Sequence, residues 1–224
     1  MLTFDADEVA RSSGWFTLVG AALGAIYGLA AVALKGHLPA SVLAVLLVLV
    51  DALATGALHF DGLADTADGF GGGTNRDEIL RIMRDHSIGS YGGLALAFCV
   101  VLKVTAYAAI LQQNDWIASL VLTPVLGRWS ILLLSVSLTY VRPSASPAAS
   151  IRKRSLAWGT VVIAAALVWA RSGRALAAAC SVVLVSACFG IYCRRRIAGI
   201  TGDTLGANVE LCESAALLVF LWAR

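Results

Sequence analysis

Seven long apolar stretches constrain this chain more than any other feature of its sequence. They cover residues 15–34, 39–58, 89–111, 116–140, 156–170, 175–193 and 207–223. About 20 apolar residues in a helix cross a hydrocarbon core of about 30 Å, and only 14% of the residues are charged. The pattern predicts an all-α, polytopic membrane helical bundle with about seven transmembrane helices, built as a single integral membrane domain over residues 1–224.

The basic residues predict how this bundle is oriented. With a cytoplasmic N-terminus, eleven of the 17 lysines and arginines face the cytoplasm, four face the other side, and Lys103 and Arg128 lie within spans. Because Lys and Arg are enriched in cytoplasmic loops, the polar loops 59–88, 141–155 and 194–206 are predicted to be cytoplasmic. The small net charge of +3 indicates no nucleic-acid partner.

The first of these loops carries a dense acidic motif, HFDGLADTADGFGGG at residues 59–73. Asp61, Asp65 and Asp68 have the i, i+4, i+7 spacing that shares one face of a helix. Close carboxylates repel one another, and Mg²⁺ compensates such groups, typically binding one or two carboxylates together with substrate phosphates. The three aspartates are therefore predicted metal ligands. A solvated loop whose aspartates cap short helices is the alternative.

Glycines close this motif. Gly71 and Gly72 let the backbone approach a large ligand and present N–H groups to a phosphate, so both are candidate substrate-binding residues. The nucleotide-binding pattern G-x-x-x-x-G-K-[ST] is absent from the sequence, which excludes a P-loop.

A short amphipathic helix is predicted after the glycines. Thr74 or Asn75 can cap it, and its Arg81, followed by Arg84, can hold a phosphate. Asp85 is a further candidate metal ligand or general base. A helix that simply lies on the membrane surface is the alternative.

A second acidic constellation precedes the last span, in GITGDTLGANVELCE at residues 199–213. Asp203 lies in a glycine-flanked turn, and Glu210 and Glu213 are spaced i, i+3 on the first turns of the span. A carboxylate within a membrane segment usually faces the bundle interior or a partner. These acids are predicted to complete the metal site begun at Asp61; a cap at Asp203 and an interfacial Glu210 are the alternative.

Three further polar residues lie within the predicted spans, and His59 directly follows the second one. Asp51 and His59 share one face of the second span, which leads towards the acidic loop. Lys103 and Arg128 are cations within the membrane. Each can neutralise Asp51 or another acid, or bind an anionic substrate.

Clustered carboxylates, glycine turns and arginines at one membrane face are typical of phosphoryl transfer on a diphosphate. In such sites metal ions neutralise the developing charge and orient in-line attack. The membrane setting favours a substrate that is lipid-like or very large.

Four motifs make a family resemblance specific. HFDGLADTADGFGGG, IMRDHSIGSYGGLAL, LGRWS and GITGDTLGANVELCE occur in the order in which the cobalamin synthase family has them, so the chain resembles that family from about Trp15 to Phe220. The resemblance implies a multi-pass enzyme of the cell inner membrane with its active site facing the cytoplasm. It implies that adenosylcobinamide-GDP is joined to α-ribazole, or to α-ribazole 5′-phosphate, with release of GMP.

The resemblance also implies roles for residues of the matching motifs. The catalytic candidates are Asp61, Asp65, Asp68, Asp85 and His59. The candidate Mg²⁺ ligands are Asp61, Asp65, Asp68, Asp203, Glu210 and Glu213. The candidate substrate-binding residues are Arg81, Arg84, Arg128, Lys103, Gly71 and Gly72. Membrane lipid is a further predicted partner, and a homo-oligomer is left open.

The chain departs from the family pattern in two places. The first span is reached without the F-L-T-R-[IL]-P-like stretch that usually precedes it, and SASPAASIRKRS stands where a Gly-Leu-Gly-like sequence is usual. A role of the altered 144–155 loop in gripping the corrinoid would change activity or specificity.

Three rival functions predict other patterns. A CDP-alcohol phosphotransferase carries D-G-x-x-A-R, which is not met here because Asp65 and Thr66 follow Ala64. A prenyltransferase with aspartate-rich diphosphate motifs is a weaker rival. A divalent-cation transporter requires acids near the bilayer midplane on several spans, whereas the sequence indicates only Asp51 as deep.

Overall fold

The computed structural model describes residues 12–85, 87–141 and 153–222. Within these residues the chain forms nine α-helices and no β-strand. The helices are α1 (Phe16–Leu34), α2 (Ala40–Thr55), α3 (Leu58–Gly72), α4 (Arg76–Ile82), α5 (Ser90–Ile110), α6 (Trp116–Ser137), α7 (Lys153–Ala170), α8 (Gly173–Ile197) and α9 (Gly202–Trp222). Residues 144–152 of the altered loop lie outside the described residues.

The helix lengths confirm a polytopic all-α membrane protein. Six helices are long and apolar enough to cross a bilayer, namely α1 with the turn before it and α5 to α9, and α2 with α3 forms a seventh, bent candidate. The short span predicted at 156–170 is one of the six. The sequence therefore predicted the number of spans well, apart from the shape of the second one.

The acidic segment is a helix and not the predicted loop. After α2, Gly56 and Ala57 both adopt the left-handed backbone conformation, with φ of 60° and 56°. Left-handed residues end a helix and redirect the chain, and α3 runs at 89° to α2. As a result, the aspartates of the motif are displayed along a helix.

Two helices form the centre of the bundle. In their apolar stretches 78% of α6 and 67% of α9 are buried, against 17% of α7. α1 packs along α6, and α9 packs against α3, α6 and α8. A Cβ at Gly24 would lie 2.8 Å from the Cα of Val121, so these two backbones are in contact, as small residues allow in membrane helices.

The predicted amphipathic helix is confirmed as α4. The side chain of Asn75 caps it by accepting a hydrogen bond from Glu78 N at 3.0 Å. The Glu78 carboxylate in turn accepts hydrogen bonds from Thr74 Oγ1 at 2.6 Å and from Thr74 N at 2.8 Å. These hydrogen bonds lower the pKa of Glu78. The apolar side of α4, with Ile79 and Leu80, is buried.

Candidate active site

Two glycines let α3 and α9 cross with their backbones in contact. A Cβ at Gly62 would lie 2.6 Å from the carbonyl oxygen of Asp203 and 3.2 Å from the Cα of Gly206. A Cβ at Gly206 would lie 3.2 Å from the Cα of His59. Because neither glycine has a side chain, the two acidic motifs of the sequence meet at this crossing.

We call Asp61, Asp65 and Asp203 the acidic rim. Asp61 is exposed, and Asp65, one helical turn further along α3, is half-buried. Asp203 is half-buried in the first turn of α9 and accepts a hydrogen bond from Thr201 Oγ1 at 3.3 Å. All three carboxylates are at least partly accessible, and carboxylate oxygen is the donor type that Mg²⁺ prefers.

The turn that carries Asp203 is built by two threonines. Thr204 N donates to Thr201 Oγ1 at 3.2 Å, and Thr201 N donates to Thr204 Oγ1 at 2.8 Å. Thr201 therefore caps α9, the role that the sequence alternatively assigned to Asp203. Asp203 does not have to fill that role.

Asp68 has a different environment from the one predicted. Its carboxylate accepts hydrogen bonds from Gly89 N at 2.7 Å and from Gly92 N at 2.8 Å. These are N–H groups at the start of α5, which a carboxylate stabilises by hydrogen bonding and by charge. Asp68 is buried, so the structure joins it to α5 and not to the rim.

Gly71 and Gly72 also differ from the prediction. Both lie in the last turn of α3, where helical hydrogen bonding uses their N–H groups. A Cβ at Gly71 would lie 2.5 Å from the ring of Tyr91. The glycines therefore shape the packing of α3 and do not form the predicted phosphate cradle.

Arg81, Arg84 and Asp85 lie on the exposed surface of α4 and the residues after it. The Asp85 carboxylate accepts a hydrogen bond from Ser87 N at 3.0 Å. Both arginines remain accessible to a phosphate, as predicted.

Five charged residues form a second group, which we call the buried charge cluster: Asp51, Lys103, Arg128, Glu210 and Glu213. Lys103 Nζ lies 2.6 Å from Glu210 Oε2, 2.7 Å from Glu213 Oε2 and 3.3 Å from Asp51 Oδ2. Arg128 pairs with Asp51, at 3.0 Å, and with Glu213. All five are at most 4% exposed, so the cluster links α2, α5, α6 and α9 within the bundle.

This cluster corrects the predicted roles of four residues. Glu210 and Glu213 were expected to share a metal site with Asp61, yet they lie about 10 and 15 Å beyond Asp203 along α9. Lys103 and Arg128 were expected to bind substrate, yet both are buried and paired with carboxylates. The alternative in which these cations neutralise Asp51 is the one that the structure shows.

The cluster also bears on the transporter alternative. The indication that only Asp51 is deep was wrong, because Glu210 and Glu213 are buried beside it, with carboxylate oxygens of all three within 4.8 Å of one another. The ammonium of Lys103, however, occupies the position that a cation would take among them. The three acids are therefore compensated by the protein itself.

His59 lies between the two groups. It is half-buried in the first turn of α3, and its Nδ1 has no hydrogen-bond partner within the described part of the chain. Its Cα lies at the α3–α9 crossing, against Gly206, and its Nδ1 is buried there. The catalytic role of His59 stays a prediction.

Two arginines connect helix ends beside the site, although the sequence indicated them only as signals of membrane orientation. Arg196 Nη2 donates to the carbonyl oxygens of Phe70 at 2.7 Å and Gly73 at 2.8 Å, at the end of α3. Arg76 Nε donates to Ile197 O at 3.1 Å, at the end of α8. Each arginine donates to the end of a helix other than its own, a pairing that the sequence did not indicate.

Comparisons with known proteins identify the family. A family model described as cobalamin-5-phosphate synthase matches residues 1–221. A Syntrophobacter fumaroxidans protein is 37% identical over 220 residues, covering 94% of this chain and 86% of its own length. A Prosthecochloris aestuarii protein is 37% identical over 231 residues, covering 96% and 92%. A Clostridium botulinum (strain Okra) protein is 35% identical over 224 residues, covering 98% and 90%.

These three relatives carry the name adenosylcobinamide-GDP ribazoletransferase. No solved structure matches the chain. The family model covers nearly all of the sequence, including the acidic motifs of α3 and α9 that meet at the Gly62–Gly206 crossing. The chain belongs to the cobalamin-5-phosphate synthase family.

Proposed function

We propose that this protein joins adenosylcobinamide-GDP to α-ribazole or α-ribazole 5′-phosphate and releases GMP. The product is adenosylcobalamin or its 5′-phosphate. Family membership supports the reaction, as do relatives of that name matched over most of their length. The observation that carries the proposal is the α3–α9 crossing, where the backbones of the two acidic motifs are in contact and Asp61, Asp65 and Asp203 are at least partly exposed.

Mg²⁺ is the proposed metal, held by Asp61 and Asp65 with Asp203 alongside. The fit rests on the donor set, since the rim supplies hard oxygen ligands on side chains that are at least partly exposed. When bound, the ion would neutralise charge on the diphosphate and on the departing GMP. Asp68, Glu210 and Glu213 are excluded from this set because their carboxylates are buried as well as paired within the protein.

The protein's own residues then act on the diphosphate bridge. Arg81 and Arg84 hold its outer oxygens by charge-assisted hydrogen bonds. The ribose hydroxyl oxygen attacks the phosphorus that bears cobinamide, a new O–P bond forms, and the P–O bond to GMP breaks. His59 Nδ1, which is unpaired and buried, accepts the hydroxyl proton in this scheme once substrate binding opens access to it; Asp85, which is exposed, is the other candidate base.

We further propose that the rim faces the cytoplasm in the cell inner membrane. The basic residues Arg76, Arg81, Arg84 and Arg194 to Arg196 lie at the end of the bundle that carries the rim, and such residues are retained on the cytoplasmic side. A cytoplasmic rim has direct access to nucleotide substrates.

The test is turnover by the full chain in lipid nanodiscs. GMP release from adenosylcobinamide-GDP should require both α-ribazole and Mg²⁺, stop on chelation and return when Mg²⁺ is restored. Replacing His59 by Gln should slow turnover more than replacing Asp85 by Asn. GMP release in excess chelator would contradict the metal, and its absence under all conditions would contradict the reaction.

A further inference from the structure

Two apolar grooves on the bundle's outer surface each end at an arginine. One lies between the start of α8 and the end of α9, has a volume of about 690 Å³ and includes Arg174 and Trp222. The other lies between the last turns of α6 and α8, has a volume of about 280 Å³ and includes Arg194. They lie at opposite ends of α8.

The two arginines differ in whether their charge is already compensated. Arg174 pairs with the Asp115 carboxylate, and its guanidinium also donates to Gln113 Oε1 at 3.2 Å and to Phe220 O at 3.4 Å. Arg194 is exposed, and no hydrogen bond or ion pair joins its guanidinium to another residue of the described ranges. Only the second groove therefore ends at a cation that remains available for an anion.

The shape of the second groove comes from small side chains. Ala187 and Gly190 on α8 face Leu133 and Ser137 on α6, with Ile191 completing the apolar wall. Larger residues at 187 and 190 would fill this depression. It runs along two membrane-spanning helices and reaches Arg194 where α8 ends, so its apolar part lies in the hydrocarbon region and its cation at the boundary.

An apolar channel that ends at a cation on the membrane boundary matches one class of molecule. We propose that this groove binds one acyl chain of an anionic phospholipid, with the lipid phosphate at Arg194. A phospholipid supplies both the hydrocarbon for the groove and the negative charge for the guanidinium. A free phosphate would leave the apolar part unfilled, and at about 280 Å³ the groove accepts a chain segment rather than a protein helix.

The site is separate from the acidic rim. Arg194 is not part of the proposed catalytic residues, whereas its neighbour Arg196 holds the end of α3. A lipid at Arg194 would brace the end of α8 from the membrane side. The lipid proposal therefore does not depend on the proposed reaction.

Native mass spectrometry of the full chain tests this site. Phosphatidylglycerol and phosphatidylcholine with identical acyl chains are offered at equal concentration, and the retained lipid is counted. Wild-type protein should retain one phosphatidylglycerol preferentially, and R194Q should lose that preference by about fivefold, the effect of one arginine at an anionic surface. The matched control R195Q, at an exposed neighbouring arginine, should keep it.

A second pair of variants tests the groove itself. A187F places a ring in the groove and should abolish retention of the lipid, whereas C188F, on the adjoining exposed position outside the groove, should not. Added inorganic phosphate should leave the bound lipid in place. Displacement of the lipid by phosphate would mean that the site binds only the anionic group and that the acyl chain does not contribute, which would contradict the proposal. Equal retention by R194Q and R195Q overturns the proposal, whatever the stability of A187F.

Discussion

The acidic rim and the buried charge cluster both contain three carboxylates, and α9 contributes to both. At the rim, Asp61 is exposed and Asp65 and Asp203 are half-buried. In the cluster, Glu210 and Glu213 are at most 1% exposed and paired with Lys103. A carboxylate that keeps contact with solvent can bind a metal ion that in turn binds a phosphate. A carboxylate that is buried and paired with a cation stabilises the fold instead.

The comparison separates chemistry from stability along a single helix. Asp203 in the first turn of α9 belongs to the rim, and about 10 Å further on the same helix carries Glu210 into the cluster. Removing charge from the rim should therefore affect turnover, and removing charge from the cluster should affect folding. The following predictions test that separation, starting with the largest effect.

Replacing Lys103 by Met should cause the largest loss. It leaves Asp51, Glu210 and Glu213 facing Arg128 alone, and an uncompensated buried charge costs about 3–5 kcal/mol of unfolding free energy. Denaturant unfolding in detergent measures the change. The double variant K103M/E210M removes one charge of each sign and should recover part of the loss; equal loss in both variants would argue against an electrostatic role for the cluster.

Replacing Asp61 or Asp65 by Asn should lower GMP release by about 10²–10³-fold, because charge stabilisation at the diphosphate is lost. For D61N, at an exposed residue, the unfolding free energy should change by less than about 0.5 kcal/mol, as at most surface positions. Steady-state kinetics and unfolding of the same samples provide both values. D77N, at an exposed aspartate of α4, is the matched control, and a similar rate loss there would remove the special role of the rim.

Replacing Asp68 by Asn should lie between these two cases. It weakens the charge-assisted hydrogen bonds to Gly89 and Gly92, at a cost of about 1.5–3 kcal/mol in stability. Activity of the folded fraction should fall much less than in D61N. If D68N kept its stability and lost as much activity as D61N, Asp68 would instead be a metal ligand, as the sequence predicted.

The smallest effect is expected at Glu78, an acid that neither binds metal nor pairs within the bundle. Its pKa is lowered by the hydrogen bonds from Thr74, so its stabilisation of α4 is present at neutral pH and is lost as the pH falls through that lowered value. Hydrogen-exchange protection of α4 should decrease in that acidic range. E78Q should remove this pH dependence; an unchanged profile in E78Q would place its cause elsewhere.

Several features of the fold were accessible from sequence because they depend on local patterns. Hydropathy located the spans, and Asn75 was recognisable as a helix cap, which the structure confirms. The left-handed pair Gly56 and Ala57 was not, because Ala has no intrinsic preference for that conformation. For that reason the acidic helix α3 was expected to be a loop.

The site was harder to predict because it depends on how helices pack. The acidic motifs of α3 and α9 were expected to meet, and the crossing at Gly62 and Gly206 brings them together. The ion-pair partners of Lys103 and Arg128 could not be chosen from sequence. Which acid each cation contacts depends on how the spans pack against one another. The capping role of Asp68 likewise depends on where α5 starts relative to α3.

The central claim is that metal binds at the rim and not in the cluster. Electron paramagnetic resonance of Mn²⁺, added in place of Mg²⁺ with adenosylcobinamide-GDP present, measures this directly. The account predicts that E210Q binds Mn²⁺ as the wild type does and that the double variant D61N/D65N does not. Mn²⁺ bound by D61N/D65N but lost in E210Q would contradict it.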